Sequence, residues 1–254
     1  MIKLSNISTK APDNVKEKEI RKETTKITKE IEDIQSIMAA EKKHALLVVF
    51  QGMDSSGKDG ATREVFKYVS PSGIKTKGYG KPTDDEFAHD FLWRVHPHAP
   101  AKGQISVFIR SHYEDVLIQR VHKWIDEDRV TSRINAINAW EELLKVDNNT
   151  TILKFYMHLS KDRQKEKLIE RIETPRKQFK HRDGDWDERE HWDEYIRCYE
   201  DVINRSTIPW IIAPVDQRWY RNYFIAKKVL ETLKNMNCKY PKLETEREEW
   251  KKYV

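Results

Sequence analysis

The chain has 254 residues, enough for one sizeable α/β domain with appendages, and it carries a formal net charge of +5 with 35% charged residues. Eight Trp, ten Tyr and eight Phe supply large apolar surfaces and exclude a disordered chain, so the charges coat a folded body. No run approaches the roughly 18 apolar residues of a membrane span, the polar start MIKLSNISTKAPDN has no signal-peptide core, and the two cysteines lie far apart, which predicts a cytoplasmic protein without a membrane partner.

Ile20, Thr24, Ile27, Ile31, Ile34 and Met38 recur at spacings of four and three, which predicts a helix ending near residue 40 and packed on its own domain. HALLVVF (44–50) reads as a fully buried strand, followed by a glycine loop and a helix from about Lys58 to Tyr68. GIKTKGYG (73–80) is a second strand. Thr83 and Glu86 then have the spacing of a capping box, so a helix is expected through FLWRVH, with Trp93 on its core side. QISVFI (104–109) is a third strand running directly into the helical pattern RSHYEDVLIQRVHKWI. TTILKFYMHL (150–159) is a fourth, with Ser160 placed to cap the next helix, and WIIAPV (210–215) is a fifth before a terminal helix. Alternating strands and helices imply a doubly wound parallel sheet covered on both faces. Residues 160–206 form an insertion read as a helical hairpin with a basic tip, its return helix burying Trp192, Tyr195, Ile196, Tyr199, Val202 and Ile203. The expected organisation is an N-terminal helical segment (1–43), a core domain (44–236) and a C-terminal tail (237–254).

The stretch VVFQGMDSSGKDGATREV carries the chemistry. Gly52, Gly57 and Lys58 after a buried strand are spaced as a phosphate-binding loop, in which backbone N–H groups and a helix N-terminus face phosphate oxygens. The residue after the lysine is Asp59, not the Ser or Thr that normally reaches magnesium, although Ser55 and Ser56 lie within the loop, and Gly60 follows. Asp54 sits among the phosphate-binding groups. A bare carboxylate there repels phosphate, so it either binds a divalent cation or takes a proton from an attacking phosphate. Arg110 ends the third strand, where an arginine stabilises charge on a transferring phosphoryl group.

Taken in order, GMDSSGKDG, LWRVHP, RSHYEDVLIQRVH, SKDRQKEKLIERI, DEREHWDEYIRCYEDVINRSTIPW and VDQRWYRNYF resemble the polyphosphate kinase 2 family over roughly residues 40 to 235. The resemblance implies a P-loop kinase-like three-layer α/β fold with a parallel five-stranded sheet and a helical lid. It implies phosphoryl transfer between inorganic polyphosphate and adenine or guanine nucleotides, with Mg2+ or Mn2+, in a homodimer or homotetramer. Asp54 is then the catalytic and metal-proximal acid, Lys58 grips the phosphates and Arg110 faces the transferring group. Arg163, Arg171, Lys180 and Arg182 of the lid, with Lys81 near the second strand, are candidates for holding polyphosphate; Arg94 and Glu114 are candidates for the acceptor nucleotide. One departure is Ile109, which stands where relatives carry Asp or Asn, so a second metal contact falls to Glu114 or Asp115. An acid at position 114 resembles the classes that accept nucleoside monophosphates. Two other readings remain: an ATP-dependent nucleoside monophosphate kinase, which the fold alone allows, and a non-catalytic polyanion-binding module. Nucleic acid is not an expected partner.

Overall fold

The computed structural model describes residues 1–243. The expected C-terminal tail therefore lies partly outside the described residues, from 244 onward.

Five parallel strands, β1 (Ala45–Gln51), β2 (Ile74–Gly78), β3 (Ile105–Ile109), β4 (Thr150–His158) and β5 (Trp210–Pro214), form one sheet in the order β2-β3-β1-β4-β5. The central strand β1 is buried along its whole length, which is why it reads as an uninterrupted apolar run. Its alternation divides the core. Leu46, Val48 and Phe50 face one layer together with Ile105, Val107, Leu153, Phe155 and Met157 of the neighbouring strands. Leu47 and Val49 face the other, together with Phe108, Ile152 and Tyr156.

The first layer contains α1 (Glu17–Glu41), α2 (Lys58–Val65) and α10 (Arg218–Asn235), with Ile27, Ile31 and Met38 of α1 buried as the periodicity predicts. The expected packing of α1 on its own domain is what forms: it lies along α10, tied by Tyr223 to Glu23 at 3.2 Å and Lys234 to Glu30 at 2.7 Å. The second layer contains α4 (Glu114–Val121), α5 (Glu127–Asn148) and α9 (Trp192–Arg205). Helix α5 has no counterpart among the sequence expectations.

Between α2 and β3 the capping box forms as its spacing predicts, Thr83 Oγ1 accepting from the Glu86 N–H at 3.2 Å. The helix it opens, α3 (Asp84–Ala88), is only five residues long, so the helical period does not extend to Trp93. Trp93 is exposed and stacks on His89 at 4.2 Å, while Arg94 is buried. The insertion is also more divided than a hairpin. It runs through α6 (Lys161–Glu173), α7 (Pro175–Gln178) and α8 (Gly184–Glu190) before α9, because Pro175 cannot continue α6. Ser160 caps α6 as expected, accepting from the Arg163 N–H at 3.2 Å.

A buried polar cluster sits in the second layer. Lys154 of β4 donates to Glu141 of α5 at 2.6 Å and to the Tyr113 hydroxyl at 2.7 Å, while that hydroxyl donates to Glu141 at 2.9 Å. Burial opposes the charge of Glu141, but His112 and Lys154 hold its carboxyl below the usual range. The cluster fixes Tyr113, the residue immediately before α4, and so anchors the turn joining β3 to α4.

Candidate active site

Strand order reverses direction at β1: the chain leaves it for β2 and β3 on one side and later returns to β4 and β5 on the other. In open α/β sheets ligands bind at the carboxyl edge beside such a point. Here that edge holds the Gly52–Lys58 loop after β1 and the Arg110–Tyr113 turn after β3. The Arg110 N–H donates to Phe50 carbonyl oxygen at 3.0 Å, so the two segments meet directly.

The loop needs its glycines. Gly52 has φ +150° and passes so close to β4 that a Cβ would lie 2.9 Å from the Met157 Cβ and carbonyl oxygen. Gly57 has φ +89°, and a Cβ there would meet the Arg221 guanidinium at 2.1 Å. Two non-glycine residues, Ser55 (φ 65°) and Arg110 (φ 62°), are also held in the left-handed region, the kind of strain that collects at functional sites.

Lys58 opens α2 and is buried. Its ammonium donates to the Gly52 and Met53 carbonyl oxygens at 2.8 and 3.2 Å and to Ser56 Oγ at 3.4 Å. Burial, reinforced by the charge of Arg110, brings it down to about 8. Arg110 Nη2 donates to Asp54 Oδ1 at 2.5 Å, and its Nη1 lies 3.6 Å from Glu114 Oε2. Asp54 feels burial first, which raises it, but Arg110, Lys58 and Arg171 together hold it below the usual carboxylate range. Glu114 shifts the other way, because burial outweighs the pull of Arg110 and Lys58. The Gln51 amide, turned to satisfy its neighbours, donates to Glu114 Oε1 at 2.9 Å and accepts from the Ser111 N–H. Guanidinium flanked by two unlike carboxylates is the centre of the site.

Around it lies a cleft of about 250 Å³ lined by the loop, Arg110 and Glu114 on one side and by the insertion on the other. From the insertion come Gln164, Arg182, Asp185, Glu188, Tyr195 and Tyr199. Gln164 donates to the Asp54 carbonyl oxygen at 3.1 Å, joining α6 to the loop. Of the basic residues singled out in the insertion, Arg182 lines the cleft, and Arg171 is ion-paired with Asp185. Lys180 is exposed at the tip over the Phe179 ring, and Arg163 lines a separate depression with Lys10 and Arg218. Lys81 is exposed on the loop after β2. Asp59 is exposed in the first turn of α2, and Gly60 lies under Arg221.

Two of the candidate residues stand apart from the cleft. Arg94 and Asp115 do not line the cleft; they pair with each other at 3.2 Å, and Arg94 also donates to the Gly80 carbonyl oxygen at 3.0 Å. An exposed strand-loop needs an internal anchor here, and the buried guanidinium spends its donors on that. Asp115 is further engaged by Gln119 at 2.8 Å, leaving Glu114 as the acid of α4 that faces the loop.

Sequence reasoning gave no role to Gln164, Asp185, Glu188 or Arg221. Tyr195 and Tyr199 were legible as one buried helix face, but that pattern does not separate a core tyrosine from one at a cleft. Arg221 had a signal in the VDQRWYRNYF segment, and only the folded chain shows its guanidinium lying over Gly57.

The sequence model of the polyphosphate kinase 2 family matches residues 14–241. The chain belongs to the polyphosphate kinase 2 family. Among family relatives, it is 42% identical over 222 residues to the AMP/ADP-polyphosphate phosphotransferase of Meiothermus ruber, covering 86% of this chain and 83% of that protein. It is 34% identical over 226 residues to the ADP-polyphosphate phosphotransferase of Rhodopseudomonas palustris, covering 83% and 78%. The crystal structure of polyphosphate kinase 2 from Arthrobacter aurescens TC1 superposes with a TM-score of 0.96 at 31% identity, covering all of this chain and 92% of that one. The P-loop kinase-like α/β fold expected of the polyphosphate kinase 2 family is therefore the fold observed.

Proposed function

We infer that this protein is a polyphosphate-dependent nucleotide phosphotransferase that moves the terminal phosphoryl group of inorganic polyphosphate to AMP and to ADP, reversibly. The observation that carries the reading is the triad of Asp54, Lys58 and Arg110 at the carboxyl edge of β1 and β3, within a family of polyphosphate kinases. Phosphoryl transfer asks for positioning and charge stabilisation more than for covalent chemistry, and this edge supplies both.

In the proposed reaction an acceptor phosphate oxygen attacks the terminal phosphorus of the chain. The new P–O bond forms as the old bridging bond breaks, and a chain one unit shorter leaves. Lys58 exchanges its contacts to the loop carbonyls for phosphate oxygens, and the loop N–H groups with the α2 N-terminus hold the remaining charge. Arg110 is aimed at the transferring group by its strained backbone and by Asp54. Because Asp54 is held in its ionised form, it serves as a fixed anion. The acceptor phosphate, whose second ionisation lies near pH 6, needs little help in losing its proton.

The residues present fit a divalent hard cation. Asp54 and Glu114 offer carboxylate oxygens to the cleft on either side of Arg110, and Ser55 Oγ is buried without a hydrogen-bond partner among the described residues. Mg2+ is commonly held by one or two carboxylates plus substrate phosphates, and Mn2+ accepts the same donors. When bound it neutralises charge on the phosphates. Arg182 and Arg171 on the insertion would meet the polyanion from above, with the insertion as a lid. Guanine nucleotides as further acceptors, a homo-oligomeric state and a cytoplasmic location belong to the same reading. No helix among the described residues is long and apolar enough to cross a membrane.

The test is product analysis over time with magnesium and excess polyphosphate, supplying AMP alone or ADP alone. AMP should yield ADP and then ATP. Turnover of neither nucleotide contradicts the reading.

A further inference from the structure

Far from the cleft, three residues that phosphoryl transfer does not use converge. We propose that Glu41, His44 and Cys238 form a binding site for a zinc-class transition-metal ion that staples the ends of α1 and α10 to the start of β1. Their ligand atoms lie within 4.8 Å of one another, and among the described residues no other three His, Cys, Asp or Glu side chains do this.

Local structure explains the convergence. Helix α1 ends at Glu41, and Lys42 in the left-handed region (φ 54°) reverses the chain so that His44 stands one residue before β1. Helix α10 runs alongside α1 in the same direction, pairing at residues 23 with 223 and 30 with 234. It ends at Asn235, and Asn237, also left-handed at φ 52°, brings Cys238 back to the same place. Asn149 Nδ2 donates to the Lys43 carbonyl oxygen at 3.0 Å and to His44 Nδ1 at 3.1 Å, which fixes the ring; for Nε2 to take a metal, the ring proton must move to Nδ1 and that contact must give way.

A second observation points to a ligand. Glu41 Oε2 is buried and has no hydrogen-bond partner among the described residues, although Oε1 lies 3.5 Å from Lys43. A buried acceptor left unmatched is costly, and a cation shared with an imidazole and a thiolate would match it.

The donor set selects the ion. One sulfur, one nitrogen and one oxygen suit Zn2+ and its neighbours, whereas Mg2+ takes oxygen ligands. A four-coordinate zinc ion spaces its ligands roughly 3.3 to 3.8 Å apart, at bonds of about 2.0 to 2.3 Å, so the three side chains, within 4.8 Å of one another, need close by at most about 1.5 Å. On binding, the Cys238 thiol gives its proton to solvent and its sulfur lone pair to the metal. One thiolate and one carboxylate then neutralise the dication, and water takes the fourth position. The site lies at the amino end of β1, roughly 20 Å of strand from the phosphate loop.

The test uses the full chain freed of metal by a chelator and titrated with Co2+, which gains thiolate-to-cobalt charge-transfer absorption only when a cysteine ligates it. Cys198, the other thiol, is wholly buried, so the band reports Cys238. Binding should saturate at one Co2+ per chain, and Zn2+, but not excess Mg2+, should displace it. The band should vanish in Cys238→Ser. Zinc affinity should fall at least tenfold in the isosteric Glu41→Gln and in His44→Ala, with phosphotransfer retained. No charge-transfer band in the parent chain, a band surviving in Cys238→Ser, or unchanged zinc affinity in Glu41→Gln overturns the site.

Discussion

Asp54 Oδ1 and Arg110 Nη2 stand 2.5 Å apart, joining the phosphate loop after β1 to the end of β3. The pair is partly open to the cleft, so its worth lies in aiming the guanidinium and not in holding the fold. Asp54→Asn keeps the shape and removes the charge; Arg110→Met removes the cation. Each should lower kcat by about 100-fold to 1,000-fold, the usual effect of removing one preorganised charge from a transfer site, with the thermal midpoint nearly unchanged. Steady-state kinetics beside calorimetry checks this, and near-parental rates in either variant would remove the assignment.

Lys58 should show its burial as a pH dependence of stability. Its folded value is brought down to about 8 from an unfolded 10.5, so between these pH values the unfolded chain binds more protons and stability rises with pH. The slope from this one group is at most about 1.4 kcal/mol per pH unit. Lys58→Met should lose turnover and lose that component of the slope. Denaturant unfolding of parent and variant from pH 7.5 to 10 measures the difference, and parallel curves would contradict it.

Glu114 should tune the acceptor. Its carboxylate faces the cleft beside Arg110, where like-charge repulsion disfavours one more phosphate on the acceptor. Glu114→Asn should move the AMP-to-ADP preference toward ADP by several-fold, read as the ratio of kcat/KM values. An unchanged ratio would detach acceptor choice from this residue.

The basic insertion divides into residues at the cleft and residues away from it, and the salt dependence of polyphosphate use should follow that division. Neutralising Arg182, which lines the cleft, should flatten the slope of log KM against log salt by about one unit. Neutralising Lys180, exposed at the tip, should change it less. Equal slopes in all variants would place polyphosphate elsewhere.

The Glu141–Lys154 pair should behave as a structural unit. Removing one partner leaves a buried charge unmatched, at about 3–5 kcal/mol, so Glu141→Gln and Lys154→Met should each destabilise the protein by that order, and the double variant should lose clearly less than the sum of the two. A double-mutant cycle measures the coupling. Additive losses would show that the two are not paired.

Four of the strands were legible as apolar runs bounded by turn residues, β2 (IKTKG) only by the glycines that flank it, and the phosphate loop because its glycines are fixed by backbone need. Helix α3 was read too long: its capping box is real, but Asp90 accepts the Leu92 N–H at 3.0 Å and turns the chain before Trp93. The order of Arg94 and Asp115 was not legible, since a cation and an acid 21 residues apart reveal their pairing only when β2 and α4 are folded together. The left-handed backbone of Arg110 leaves no mark in composition, and neither does the side of the sheet to which Gln164 or Arg221 returns. What a linear pattern encodes is periodicity and local turn chemistry; the side chains that cross from one layer to another are set by packing.

The central claim is that polyphosphate is the phosphoryl donor. The most direct measurement supplies AMP and magnesium with either polyphosphate or ATP as sole donor and follows ADP formation together with loss of donor phosphoryl groups. Polyphosphate should support ADP formation mole for mole with chain shortening, and this should fall by at least about 100-fold in Arg110→Met. ADP formed only when ATP is the donor, with polyphosphate left intact, would contradict the account.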